Sequence, residues 1–318
     1  MADRPLPVNA KRSLPTRRNL IHRVTAISAL CVLGDKVAAQ PATQQSKSGA
    51  SSAADSRTKS PPWLSLPPTP ELPPASQSDH VSINGTQIFF ARFGSGPSVL
   101  FLHGGMGNSN YWGHQVPELA KNFSVTVMDT RGHGRSPVMS RAFSYRTFAA
   151  DVVGLLDHLG IANTAVIGWS DGAVTGLELA INKGERVSKL FAFGGNSSLD
   201  GMKGNGGRSG VFVSYAARCR QEYLHLSPNP ERWPQLMDGL RTMWRTQPTY
   251  SSRELATIKL PTTIADGQYD EIIRRDHLER MARTIPHAKL VIQPKVSHFA
   301  MLQNPNGFNV ALREFLEV

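Results

Sequence analysis

The run Thr164-Ala165-Val166-Ile167-Gly168-Trp169-Ser170-Asp171-Gly172 holds the strongest structural signal in this sequence. Thr164–Ile167 is a short apolar run of the kind that forms a buried strand. Val174, Leu177 and Leu179 follow at helical spacing, so a helix opens directly after Ser170. A serine between two glycines at a strand-to-helix junction matches the nucleophile elbow. Gly168 and Gly172 leave room for a tight, strained turn that pushes the Ser170 hydroxyl outward. The helix N-terminus adds partial positive charge where an oxyanion would develop. A lone G-x-S-x-G arises often by chance, so its weight comes from the strand before it, the helix after it and partners elsewhere in the chain.

Outward from this point, strand and helix alternate. His80–Asn84 and Thr86–Phe93 read as a hairpin about Gly85. Ser98–Leu102, Ser124–Met128, Lys189–Phe193, Pro261–Ala265 and Lys289–Ile292 read as further strands. Tyr145–Leu159 sets Phe148, Val152, Leu155, Leu156 and Leu159 on one helical face. Continuous apolar strands between amphipathic helices predict an α/β domain with a mainly parallel sheet covered on both faces.

Three other strand ends carry candidate chemistry. His103-Gly104-Gly105-Met106-Gly107 follows Ser98–Leu102, and glycines there let a backbone N–H approach a substrate oxygen. The expected oxyanion donors are the N–H groups of Gly105 and Asp171. Met106 and Trp169, beside those donors, are the candidate substrate-binding residues, and His103 is expected to orient its loop. A serine needs a base. His298 lies in a loop between the last strand and the last helix, unlike His225, His277 and His287. The imidazole in turn needs a carboxylate. Asp270 is chosen and Asp266 is its rival, both in Ala265–Asp270.

The motifs HGGMG, DTRGHGRS (Asp129–Ser136) and GWSDG, with Asp270 and His298, make residues 79–318 resemble the α/β-hydrolase family. The resemblance implies a doubly wound, mostly parallel eight-stranded sheet with an inserted helical cap. It also implies a triad in the order Ser170, Asp270, His298. Its G-x-x-D spacing, met by Gly267 and Asp270, favours Asp270 over Asp266. The elbow looks most like that of the valacyclovirase (biphenyl-hydrolase-like) branch, although Ala173 stands where that branch often has glycine. In that branch Asp171 would meet a substrate ammonium; the plain alternative is a helix cap.

The cap is expected at about 197–253. It holds eight basic and four acidic residues. That charge favours neutral or anionic substrates, against the plainer reading of a solvated helix surface. Phe212, Tyr215, Tyr223, Trp233, Met237, Met243 and Trp244 either line an apolar pocket or pack the cap.

The net charge of +11 over 318 residues is unevenly spread. Residues 1–39 hold seven basic residues and two acids, an 11-residue apolar run from Val24 to Gly34, and Val37-Ala38-Ala39. This is the order of an export signal, and Thr16–His22 resembles a twin-arginine motif; a mitochondrial-type presequence is the alternative. Spanning a bilayer takes about 20 apolar residues, so no stable membrane anchor is expected. Residues 40–78, rich in Pro and Ser, are expected to be a tether without helix or sheet, from which Trp63 and Leu64 either dock on the folded domain or stay free. The remaining basicity gives no case for nucleic acid. Cys31 and Cys219 are too few for a disulfide framework, no H-E-x-x-H occurs, and neither metal nor cofactor is expected.

The expected function is a serine hydrolase cleaving a small carboxylic ester, amide or lactone through an acyl-enzyme in an exported, periplasmic or secreted protein. Alternatives are perhydrolysis or carbon–carbon cleavage with the same triad, and a non-catalytic ligand-binding protein on this fold.

Overall fold

The computed structural model describes residues 60–138 and 143–317. In chain order the elements are β1 (Gln77–Ile83), β2 (Thr86–Phe93), β3 (Ser98–Leu102), α1 (Val116–Leu119), β4 (Ser124–Met128), α2 (Tyr145–His158), β5 (Thr164–Trp169), α3 (Asp171–Asn182) and β6 (Val187–Phe193). There follow α4 (Gly210–Leu226), α5 (Trp233–Thr246), α6 (Ser252–Leu255), β7 (Thr262–Gly267), α7 (Arg275–Thr284), β8 (Lys289–Gln293), α8 (Ala300–Gln303) and α9 (Pro305–Glu317), with short 3-10 turns between them.

The eight strands form one sheet in the order β1-β2-β4-β3-β5-β6-β7-β8. β2 runs antiparallel to both β1 and β4, and every other pairing is parallel. Side chains alternate across the sheet. Val99 and Phe101 of β3 and Ile167 of β5 face α9, whose Phe308, Leu312 and Phe315 complete that layer. Leu100 and Leu102 of β3 and Val166 of β5 face α2 and α3. Every residue of β5 is buried. Burying a Val or Ile side chain stabilises by about 1.5–3 kcal/mol, which is why the central strands read as unbroken apolar runs.

Helix α2 starts where Ser144 Oγ accepts the Thr147 N–H at 3.0 Å, and it stops before Gly160 at φ +66°. It ends at His158, one residue short of the expected Leu159. Helix α3 is packed between the sheet and α2. At Gly176 an added Cβ would lie 2.6 Å from Leu190 Cδ1, so the helix approaches β6 closely there. Helices α4, α5 and α6 are inserted between β6 and β7 and form the cap. Its Tyr215, Cys219, Leu236, Leu240 and Met243 join the apolar layer that contains Phe101 and Trp169.

Residues 60–78 depart from the expected tether. Pro62–Leu64 forms a 3-10 turn, and β1 begins at Gln77, two residues before the expected domain start. Trp63 stacks on Tyr269 with ring centroids 4.1 Å apart, whereas Leu64 stays exposed. Leu66 and Leu72 pack on the core. Arg218 of α4 donates to the carbonyls of Leu66 and Pro67, and Gln303 Nε2 donates to the Ser65 carbonyl at 2.8 Å. A proline-rich segment has no ladder of its own, but its carbonyls and apolar rings remain free to dock. The expected signal segment, 1–39, and the tether up to residue 59 lie outside the described residues. No helix among the described residues is long and apolar enough to cross a membrane.

Candidate functional site

Ser170 sits at the end of β5 with φ +54° and ψ −120°, a conformation that is strained for any residue with a Cβ. The sequence forces it. A Cβ at Gly168 would lie 2.3 Å from the Gly172 carbonyl oxygen, and one at Gly172 would lie 2.1 Å from that of Leu102. With both positions bare, the strand turns into α3 within one residue. The Ser170 N–H donates to the Phe193 carbonyl at 2.9 Å, and the Ser170 carbonyl accepts from Val174 N–H at 3.0 Å. The N–H groups of Asp171 and the next residues precede the first bond of the helix ladder.

The loop after β3 lies over this turn. His103 Nδ1 donates to the Gly104 carbonyl at 2.8 Å, while its Nε2 accepts the Thr130 N–H at 3.0 Å. Both nitrogens are thus engaged with backbone, and burial lowers the His103 pKa despite the charge of Asp129. This pins the loop, as expected of His103. Met106 takes φ +66°. A Cβ at Gly104 would lie 3.1 Å from Ser170 Cβ, and one at Gly105 would lie 2.3 Å from Asp171 Oδ2. Gly105 and Asp171 therefore stand side by side. The Gly105 carbonyl accepts from Tyr215 OH at 2.7 Å.

His298 and Asp270 meet at the opposite side of β6. His298 Nδ1 donates to Asp270 Oδ2 at 2.5 Å, and both residues are buried. Asp270 Oδ1 accepts the N–H groups of Ile272 and Ile273 at 2.6 and 2.7 Å. Burial alone would raise the Asp270 pKa, but His298, Asp266 and the Ile273 N–H outweigh it and hold the carboxyl below its usual range. Burial likewise opposes the His298 cation, yet Asp270, with Glu271 and Asp171 behind it, moves the imidazole upward. A Cβ at Gly194, next to Phe193, would lie 2.8 Å from His298 Cε1. Thus the strand end that accepts the Ser170 N–H also carries the glycine against which His298 packs. Among the described residues Ser170 Oγ has no hydrogen-bond partner, so the link that is closed here is His298–Asp270.

Asp266 lies with this pair and is 1% exposed. One oxygen of each carboxylate and an imidazole nitrogen fall within 4.8 Å of one another. These three are the only such grouping of potential metal ligands among the described residues. Within this grouping His298 Nδ1 and Asp270 Oδ2 are bonded to each other.

The Asp171 carboxylate is shared by two aromatic donors. It accepts from Tyr145 OH at 2.7 Å and from Trp244 Nε1 at 3.0 and 2.9 Å, so it joins α2 and the cap helix α5 to α3. Among the described residues the carboxylate bonds to these two side chains alone. Burial raises its pKa, the two aromatic donors partly oppose this, and His298 acts from further off. No local signal in the sequence points to these contacts of Tyr145, Trp244, Tyr215 and Gly194, because each lies far along the chain from its partner. Met106 and Trp169 are 4% and 0% exposed and belong to the apolar core. The Trp169 ring packs against Tyr111, Tyr215, His298 and Phe299. Tyr215, Tyr223, Met237 and Met243 are buried cap packing, as the plainer reading had it.

A void of about 10 Å³, enough for about one water, is bounded by His103, Gly105 and Asp171. A larger cleft of about 560 Å³ lies on the other side of Asp270, between Trp63, Tyr269, Lys203 and Arg208. Ser170 does not line it.

The sheet order, the serine turn and the inserted cap define an α/β-hydrolase-fold protein, and a family model described as the alpha/beta hydrolase fold matches residues 97–205. Among curated proteins, the chain is 28% identical over 254 residues to the serine hydrolase BPHL of Homo sapiens, covering 76% of this chain and 86% of the relative. It is 27% identical to a 2-hydroxy-6-oxononadienedioate/2-hydroxy-6-oxononatrienedioate hydrolase of Pseudomonas putida, covering 73% and 92% respectively. Among solved structures it is similar to Est816, described as an N-acyl homoserine lactone degrading enzyme. That match has 25% identity, a TM-score of 0.65, and covers 74% of this chain and all of the other.

Proposed function

We propose that this protein is a serine hydrolase that cleaves a small carboxylic ester or lactone through an acyl-enzyme. The observation that carries the reading is the strained Ser170 turn set across β6 from the buried His298–Asp270 pair. In the reaction Ser170 Oγ attacks the acyl carbon while His298 Nε2 takes its proton. Asp270, bonded to Nδ1, holds the tautomer and stabilises the imidazolium. The N–H groups of Gly105 and Asp171 stabilise the oxyanion. His298 then gives its proton to the leaving alkoxide, and water repeats the sequence to release the acid. The open Ser170–His298 link is in keeping with catalytic hydrogen bonds that tighten only around substrate.

The likeness to BPHL, a serine hydrolase, supports the serine chemistry, and the likeness to Est816 supports a lactone substrate. Asp171 is a less available ammonium site than the BPHL-like elbow implies, because Tyr145 and Trp244 already occupy its carboxylate. Carbon–carbon cleavage with the same residues is the second reading, favoured by the Pseudomonas putida relative. Export across a membrane remains part of the proposal for residues 1–39.

A fluorophosphonate probe tests the nucleophile. Wild-type protein is expected to be labelled and Ser170→Ala is not; an unlabelled wild type would overturn both readings. A panel of p-nitrophenyl esters and acyl lactones then separates ester cleavage, expected here, from carbon–carbon cleavage, which would leave the panel untouched.

A further inference from the structure

Asp266 is a buried acid that the reaction above does not use. It is the penultimate residue of β7, whose last residue, Gly267, lets the strand pass close to the His298 loop: a Cβ there would lie 2.3 Å from the Ser297 carbonyl oxygen. The side chain is 1% exposed, and its Oδ1 has no hydrogen-bond partner. An oxygen of Asp266, an oxygen of Asp270 and a nitrogen of His298 all fall within 4.8 Å. Asp270 is already held as an anion by three N–H donors, from His298, Ile272 and Ile273. A second anion packed against it, with no cation bonded to it, would be left uncompensated in a site closed to water.

We infer that Asp266 is a positioning residue of the triad, a neutral carboxylic acid whose O–H donates to the Asp270 carboxylate and limits how tightly Asp270 holds the His298 proton. The inference rests on the triad reading. Two buried carboxylates side by side share one negative charge, and the proton goes to the one with fewer donors. The electrostatics agree in direction: burial, then the charge of Asp270 and a hydrogen bond to it, push the Asp266 carboxyl well above its ordinary range. The charged groups facing the cluster are His298 from the β8–α8 loop, Glu271 beside Asp270, and Arg275 of α7. Lys203 of the cap loop donates to the Asp270 carbonyl. None of these is bonded to the Asp266 carboxylate among the described residues. By donating to Asp270, Asp266 would spread its charge, so that His298 returns the proton to the leaving group rather than keeping it.

The test reads the second-order rate of fluorophosphonate labelling against pH in the full chain, which requires no knowledge of the natural substrate. Asp266→Asn keeps a donor of the same shape, so its rate and the acid limb of its profile are expected to match wild type. Asp266→Ala removes the donor and strengthens the hold of Asp270 on the imidazolium. Its acid limb should move to higher pH by about one unit, with about a tenfold lower rate below the limb. An acid limb that moves to lower pH in Asp266→Asn would overturn the inference, since it would show that an anion had been removed from the neighbourhood of His298. An unshifted limb in folded Asp266→Ala would overturn it as well. Where the alanine variant fails to fold, Asp266→Leu, which removes the donor but fills the space, is read in its place with the same expected shift. Failure of the triad reading shows itself separately, as labelling that survives Ser170→Ala or is unaffected by His298→Ala.

Discussion

Trp244 Nε1 reaches across from the cap and donates to both carboxylate oxygens of Asp171, the residue that follows the strained serine, at 3.0 and 2.9 Å. Tyr145 OH donates to the same carboxylate from α2 at 2.7 Å. One buried carboxylate therefore ties three helices together beside the proposed oxyanion site, and it does so with neutral donors alone.

Removing one donor without changing shape isolates this bridge. Tyr145→Phe should cost about 1.5–3 kcal/mol at pH 8, because a charged acceptor loses a buried partner. Loss of the donor raises the folded-state pKa of Asp171 further above its unfolded value. A group shifted upward adds stability below its unfolded pKa and loses it as pH rises through the folded one. The deficit of the variant should accordingly shrink as pH falls towards 4. Urea denaturation at several pH values measures it, and a deficit independent of pH would show that the Asp171 charge is not what Tyr145 stabilises.

His298 sets the acid limb of activity. Asp270 moves its pKa upward against the opposing effect of burial, so the neutral, base-competent imidazole forms only above the ordinary value of 6.5. The rate kcat/KM on any accepted ester should fall on the acid side with a midpoint above 6.5. Asp270→Asn should bring that midpoint down while lowering the rate. The same shift makes a stability term: the His298–Asp270 contact stabilises fully below 6.5, and its contribution from His298 is lost as pH rises through the raised value. A midpoint below 6.5 in the wild type would mean that burial governs the imidazole.

Backbone strain at Ser170 should be visible as stability. With φ at +54° and ψ at −120°, Ser170 occupies a region that glycine adopts freely. Ser170→Gly should raise stability by about 1–2 kcal/mol relative to Ser170→Ala, which removes the hydroxyl but keeps the Cβ. Thermal melting of the two inactive variants makes the comparison. Equal melting temperatures would show that the turn stores no strain.

The central part of the fold was open to reading because its signals are local. An unbroken apolar run such as Thr164–Trp169 announces a strand buried on both faces, and G-x-S-x-G between such a strand and a helix sets the turn whatever lies elsewhere. Likewise His298 and Asp270 each stand at a strand end, where loops carry side chains toward the same edge of a parallel sheet. The proline-rich segment was only partly legible for the same reason. Its composition forbids a ladder, which is a local fact, but whether Trp63 finds Tyr269 and Arg218 finds two free carbonyls depends on surfaces more than 150 residues away.

Asp171 and Asp266 show the same boundary inside the site. In sequence, each is an acid near a motif, open to capping a helix, meeting an ammonium or serving the triad. Their surroundings are made by residues the chain brings from afar: Tyr145 and Trp244 around one, Asp270 and His298 around the other. Periodicity and glycine placement act over a few residues, so the succession of strands and helices, the serine turn and the side chains at the strand ends can be read from the chain alone. Which acids pair, which are shut from water and what each carboxylate touches come from packing, because burial and electrostatic partners belong to the folded chain and to no single stretch of it.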